Sequence, residues 1–446
     1  MARVIPFRGI LYNADAIKRI GDVVAPPYDV ISEQEQQALC DRHPENIIRL
    51  ILGEPGENAG DSVAFYKAAA QRFQKWRAEG KLIRDEEPAI YFTSVEFTIE
   101  GQNFQRYGLI AQVGLEPFEN GVILPHERTS SKVKIDRLNL MKETCANFCQ
   151  IFSLFSDAEN FVLNTLESAV SNVPPDIDLV DENDERHKLW RITDKTVIAE
   201  ITAAMQDKKL YIADGHHRYE TALNYRKWVT DRDPAFNDDH PANYIMMYMS
   251  SMSDKGLIIL PTHRMLTGLS ESSKAAFIDN AGAYFDVREM PFHKDNRDNV
   301  KTDFITALRA DTTKNTIGAM LAGRDVFYLL TPKPNIMEEV FGNDVPSVLR
   351  DLDVSVLTHL ILIKILGYSQ AELDEEKVID YTSDIHDAIT AVDTGVCDIA
   401  FMLNPTKNEQ MRDVAAAGEI MPRKTTFYYP KVLTGLVLST KSPTDN

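Results

Sequence analysis

Four cysteines in 446 residues are too few for a disulfide framework. Cationic residues are short as well: 48 Lys and Arg stand against 67 Asp and Glu, a net charge of −19. Proteins that live on phosphate backbones neutralise them with clustered Lys and Arg, so this balance argues against nucleic acid as a partner. No apolar run is long enough to span a bilayer. The most apolar late stretch, VSVLTHLILIKILGY (354–368), carries His359 and Lys364 and reads as a buried helix. The start, MARVIPFRGILYNADAI, lacks the basic, apolar and small-residue order of a secretory signal, so a cytoplasmic protein without membrane contact is expected. A Gly-rich Walker loop, a dinucleotide fingerprint, a His-Glu-x-x-His helix and internal repeats are absent too. A phosphate ligand would need a different anion cradle.

What remains is an ordinary globular composition, 44% hydrophobic and 26% charged, with length for about two or three domains. The texture changes near 270, which divides the chain into 1–270, expected to bind phosphate or nucleotide, and 271–446, a second α/β region expected to close the cleft. Ser32 and Glu35 form a capping box that starts a helix over EQEQQALCDRH. NIIRLIL (46–52) reads as an apolar strand. A helix over 61–80 takes Asp61 as its cap and buries Phe65, Phe73 and Trp76. AIYFTSVEFTI and FQRYGLIAQVGL form a hairpin about Glu100-Gly101-Gln102. Cys145 and Cys149 are placed on one helix face at i, i+4, as a core pair.

The chemistry concentrates in YIADGHHRYETAL (211–223), where a strand hands over to a helix. A helix N-terminus offers free N–H groups and a partial positive charge. Gly215 lets backbone approach a ligand, Arg218 can fork onto phosphate, and His216 and His217 can donate to phosphate or ligate a metal. Asp214 could hold Mg²⁺ or simply cap the helix. In VILPHERTS, Pro125 ends a strand and puts His126, Glu127 and Arg128 on a loop. There an ionised Glu127 could accept a hydroxyl proton. IILPTHRML repeats that pattern with His263 and Arg264. APPYDV presents Tyr28, which could stack on a base, and Asp29, which could bind an amine. Lys134 and Arg137 could add phosphate contacts, as could Lys424 and Tyr428, whereas Phe427 and Val432 read as core.

DGHHRYETA resembles the second box of the ParB/sulfiredoxin-like superfamily, where a Gly-x-x-Arg turn opens a helix against nucleotide phosphates. Within that superfamily it is most similar to the free-serine kinases, with their Asp-Gly-His-x-Arg run. Together with APPYDVIS, LPHERT, KIDRLNL, ILPTHR and GEIMPRKTTFYYPKVLTGLV, it identifies the chain as a member of DUF 1015, an uncharacterised ParB-like family. The resemblance implies an α+β fold: a ParB/sulfiredoxin-like nucleotide-binding core with insertions plus a second α/β region. It implies a phosphotransferase using Mg²⁺ and a nucleotide, ATP or ADP, on a small hydroxyl substrate such as free L-serine. By the chemistry of their loop rather than by a matched motif, catalysis would fall to Glu127 and His126. Two other functions stay open: a non-catalytic nucleotide-binding switch with a protein or DNA partner, and a metal hydrolase using His126, His216, His217 and His263. If Arg218 is a ligand contact, Arg218→Ala abolishes nucleotide binding in an intact fold.

Overall fold

In the computed structural model of the chain, which describes residues 1–57, 62–311, 313–375 and 377–442, the capping box forms. Ser32 Oγ accepts the Glu35 amide and a Glu35 carboxylate oxygen accepts the Ser32 amide, opening α1 (Glu33–Arg42). NIIRLIL is not a strand: it contains the short helix α2 (Ile48–Ile51). The Asn46 side chain decides this, because its oxygen accepts the Ile48 amide while its nitrogen donates to the Asp22 and Val24 carbonyls. A short apolar run carries no periodicity that separates the two outcomes. Helix α3 (Ser62–Ala78) buries Phe65, Tyr66, Ala69, Phe73 and Trp76, a stripe at helical spacing. The Asp61 cap lies outside the described residues.

Contacts divide the chain into two units, Met1–Ile258 with Pro430–Asn446, and Ile259–Tyr429. The break falls earlier than 270, and the last stretch returns to the first unit. The first unit is built on a nine-stranded sheet. Its strands are β1 (Val4–Ile5), β2 (Ile90–Ile99), β3 (Gln102–Gly114), β4 (Ile123–Leu124), β5 (Ile151–Phe155), β6 (Ile177–Val180), β7 (Arg186–Ile192), β8 (Leu210–Asp214) and β9 (Tyr244–Ser251). The spatial order is β4-β8-β5-β9-β3-β2-β7-β6, with β1 beside β3. β4–β8 and β5–β9 are parallel, and β8–β5 is antiparallel. The β2–β3 hairpin turns through Glu100 and Gly101 at φ 49° and 78°, a turn that only left-handed backbone closes. Against this sheet pack α5 (Phe161–Val170), α6 (Lys195–Gln206) and α7 (His216–Thr230), which contribute Leu166, Ile201, Met205 and Tyr219 to a core with Phe92, Leu109, Ile151 and Ile212.

Helix α4 (Ser131–Thr144) ends at Cys145, which adopts a left-handed φ of 47°. Cys145 and Cys149 therefore share no helix face. The buried Cys149 thiol instead meets Thr434 Oγ1 at 2.9 Å.

The second unit carries a six-stranded antiparallel sheet, in the order Phe285–Pro291, Val326–Pro332, Ile317–Leu321, Ile399–Met402, His263–Leu266, Ile379–Thr382. Its apolar stretch is helical as expected, with Leu357, Leu360, Ile361 and Leu362 buried on a wide turn over Leu357–Ile365. The chain is thus a mixed α/β protein with several sheets. Among the described residues no helix is long and apolar enough to cross a membrane.

Candidate functional site

Strand β8 is buried from Leu210 to Ala213 and its register against β5 shifts between Ile212 and Asp214. This irregularity re-aims the strand end. Gly215 follows at φ 97° and α7 begins at once; a glycine at this position supplies no side-chain cap, so among the described residues no N-cap side chain takes the first amides. The left-handed turn folds Arg218 back over Gly215. A Cβ on Gly215 would lie 2.8 Å from Arg218 Nε. The space above the glycine is therefore filled by the arginine, not kept for a ligand.

Arg218 is 7% exposed. It donates through Nη1 to the Gln150 carbonyl and through Nη2 to Asp214 Oδ2. The other Asp214 oxygen takes Lys431 Nζ at 3.0 Å. Burial alone would raise the Asp214 pKa, but Lys431 and Arg218 outweigh it and hold the carboxyl below its usual range. With both oxygens engaged by cations, Asp214 does not fit as a magnesium ligand. Arg218 corrects the expectation in the same way, since its fork is closed onto its own chain. Beside it lies a cavity of about 50 Å³ lined by Tyr28, Arg137, Cys149 and Thr221 among others. That is room for water and far less than a nucleotide needs.

The two histidines clasp the 125–130 loop. His216 Nε2 accepts the His126 amide at 3.2 Å, and His217 Nε2 accepts the Ser130 amide at 2.8 Å. A backbone N–H only donates, so each Nε2 must carry its lone pair and each ring must be neutral. Burial agrees: it pulls His126 and His216 down to about 3 from 6.5, and lowers His217 as well. The His126 and His216 rings meet edge to face, 4.8 Å apart. His216 Nδ1 lies 3.7 Å from Glu127 Oε2, and the Glu127 side chain keeps 34% of its surface open. Acidification has a definite sign here. Folded pKa values below the unfolded value mean that the unfolded chain binds more protons between about pH 6.5 and 3, so stability falls as pH drops through that window and is unaffected by these groups above it. We expect a loss of about 1–2 kcal/mol per pH unit, read as urea midpoints at pH 7, 6 and 5, and a shallower slope in His216→Gln.

The sequence family described as "Protein of unknown function (DUF1015)" matches residues 4–355. The chain belongs to this family. No curated protein matches it by sequence. Among solved structures, it is similar to a conserved hypothetical protein from Pyrococcus furiosus at 12% identity, covering 70% of this chain and 89% of that one, with a TM-score of 0.32. A free serine kinase in complex with AMP gives 10% identity over 69% and 84% of the two chains, TM-score 0.32. C-terminally truncated SbnI from Staphylococcus aureus gives 9% over 73% and 85%, TM-score 0.35.

In this DUF1015 member the remaining candidates sort by place. Arg128 is exposed on the loop. Lys134 donates to Glu220 at 2.5 Å, and Glu220 also accepts the Thr129 hydroxyl, so Lys134 fastens α4 to α7. The Arg137 guanidinium lies 4.6 Å above the Tyr28 ring and bonds the Ile51 carbonyl, which covers one face of the proposed stacking platform. Asp29 is open to solvent yet crowded by protein. That crowding first, and Asp214 second, raise its pKa against the pull of Arg218 and Lys431. His263 and Arg264 lie in the second unit. His263 Nδ1 accepts the Leu403 amide at 3.1 Å, and Arg264 donates to the Thr262 and Lys424 carbonyls. Among the described residues the four histidines of the hydrolase reading form no group of converging ligand atoms. Tyr428 is fully buried in the second unit, a core residue, while Phe427 is only half-buried. Lys431 was missed: it stands within GEIMPRKTTFYYPKVLTGLV, but no local pattern ties it to Asp214 far upstream.

Proposed function

We propose that the protein transfers a phosphoryl group from a nucleotide to the hydroxyl of a small acceptor, with free L-serine the acceptor that the DGHHR resemblance implies. The observation that carries this is the uncapped start of α7, a helix of 15 residues. On its rim stand the half-open Glu127, the solvent-accessible Asp29 and Lys431. An uncapped helix start favours anions through its N–H groups and its dipole. Lys431, held against Asp214, adds a point charge beside it. Arg128 extends the positive rim on the loop.

The division of labour follows from exposure. His216, His217 and Arg218 position the loop and the turn, and the amides of α7 with Lys431 receive the phosphates. Asp29 faces a substrate amine. Glu127 accepts the acceptor's hydroxyl proton as its oxygen bonds to the terminal phosphorus and the bridging P–O bond breaks, leaving the nucleotide one phosphate shorter. No chain ligand to Mg²⁺ is assigned.

Two measurements test it. A thermal-shift panel of nucleotides should raise the melting temperature, and product should then form only when an alcohol or amino-acid acceptor is added. Nucleotide binding with no acceptor-dependent product would instead favour a switch. Glu127→Gln is expected to keep the nucleotide-induced shift and lose turnover by about 10²-fold or more; a fully active variant removes Glu127 from the step.

A further inference from the structure

The turn between β6 and β7 gathers three groups with no place in the chemistry above. Side chains alternate along strands, and Leu179 on β6 and His187 and Leu189 on β7 are buried while Val180 and Arg186 are exposed. Asp181 and Glu185 extend the inward-facing series into the turn. His187 Nε2 lies 3.2 Å from Asp181 Oδ2 and 3.8 Å from Glu185 Oε2, and the three side chains are 7%, 10% and 5% exposed. One ligand atom from each residue falls within 4.8 Å of the others. Asp181 Oδ1 is fixed separately, accepting the Asn183 and Glu185 amides at 2.9 and 3.0 Å, which turns Oδ2 toward the imidazole.

We propose that Asp181, Glu185 and His187 bind one zinc ion. The three groups are two carboxylates and an imidazole with converging ligand atoms, and buried charges of this kind are stabilised by pairing or by metal. Tetrahedral zinc with bonds of 2.0–2.2 Å places its ligand atoms about 3.4 Å apart, and the separations to His187 bracket that value. A nitrogen donor favours zinc over calcium or magnesium, which take oxygen sets. Water fills the fourth position. The site lies on the last strand pair of the sheet, β7-β6, at the opposite edge from β4-β8 and the start of α7. Its role is to fasten an edge hairpin, and it is independent of the phosphoryl-transfer reading.

The test uses the full chain, freed of metal with a chelator and titrated with Zn²⁺ against a chromogenic competitor. We expect one saturable zinc that is lost or weakened at least tenfold in His187→Gln and in Asp181→Asn, and a zinc-dependent rise in melting temperature in the unaltered chain that the variants lack. Because other histidines and cysteines can take zinc, the comparison with the variants decides. Circular dichroism establishes that each is folded, and Glu185→Gln serves if His187→Gln is not. A folded variant that binds zinc as tightly as the unaltered chain, or an unaltered chain with no saturable binding, overturns the proposal.

Discussion

Arg218→Ala is expected to lower the stability of the first unit by about 3–5 kcal/mol, seen as a fall in the urea midpoint. The guanidinium is buried between the Gln150 carbonyl and the Asp214 carboxylate. Its removal leaves a cavity, an unsatisfied carbonyl and an aspartate held by Lys431 alone. This reverses the result that a ligand-contact role gives, in which nucleotide binding disappears from an intact fold. The two outcomes are separable in one experiment. A variant with an unchanged midpoint and no nucleotide-induced shift would restore Arg218 to the binding surface. Arg218→Lys should recover only part of the loss, because an ammonium cannot reproduce the planar fork.

Gly215→Ala is expected to cost about 2–4 kcal/mol and to abolish the nucleotide-induced shift. At φ 97° an L side chain is strained, by about 1–2 kcal/mol. The new Cβ also meets Arg218 at 2.8 Å and 2.9 Å, at Nε and Cζ. Because the clash and the buried pair share one partner, the double variant Gly215→Ala with Arg218→Ala should cost less than the sum of the singles. Additive midpoints would mean that backbone strain alone governs the position.

Much of the architecture could be read from periodicity and caps. The α3 stripe, the capping box at Ser32 and the β2–β3 hairpin are local, and local rules found them. NIIRLIL went astray because its state depends on Asn46 bonding carbonyls some twenty residues earlier. The Cys145–Cys149 face failed because α4 ends at Thr144, with Cys145 itself the left-handed residue that stops the helix before Cys149. At the site, the strand–glycine–helix junction was legible, but the assignment of Arg218 was not. Sequence shows that an arginine can grip an anion; only packing shows that the anion is Asp214. His216 and His217 likewise look like donors on paper and serve as acceptors in space. Lys431 and Thr434 lie more than two hundred residues from their partners, beyond any pattern of spacing.

The return of the chain after Tyr429 bears on how the protein is made. Lys431 meets Asp214, Thr434 meets Cys149, and the Pro430 carbonyl receives Arg106, all from the closing stretch. Ile10 exchanges backbone hydrogen bonds with Leu438. During synthesis the first unit therefore emerges early but is completed only after Ile259–Tyr429 has been made, when the closing stretch reaches Asp214, Cys149 and Ile10.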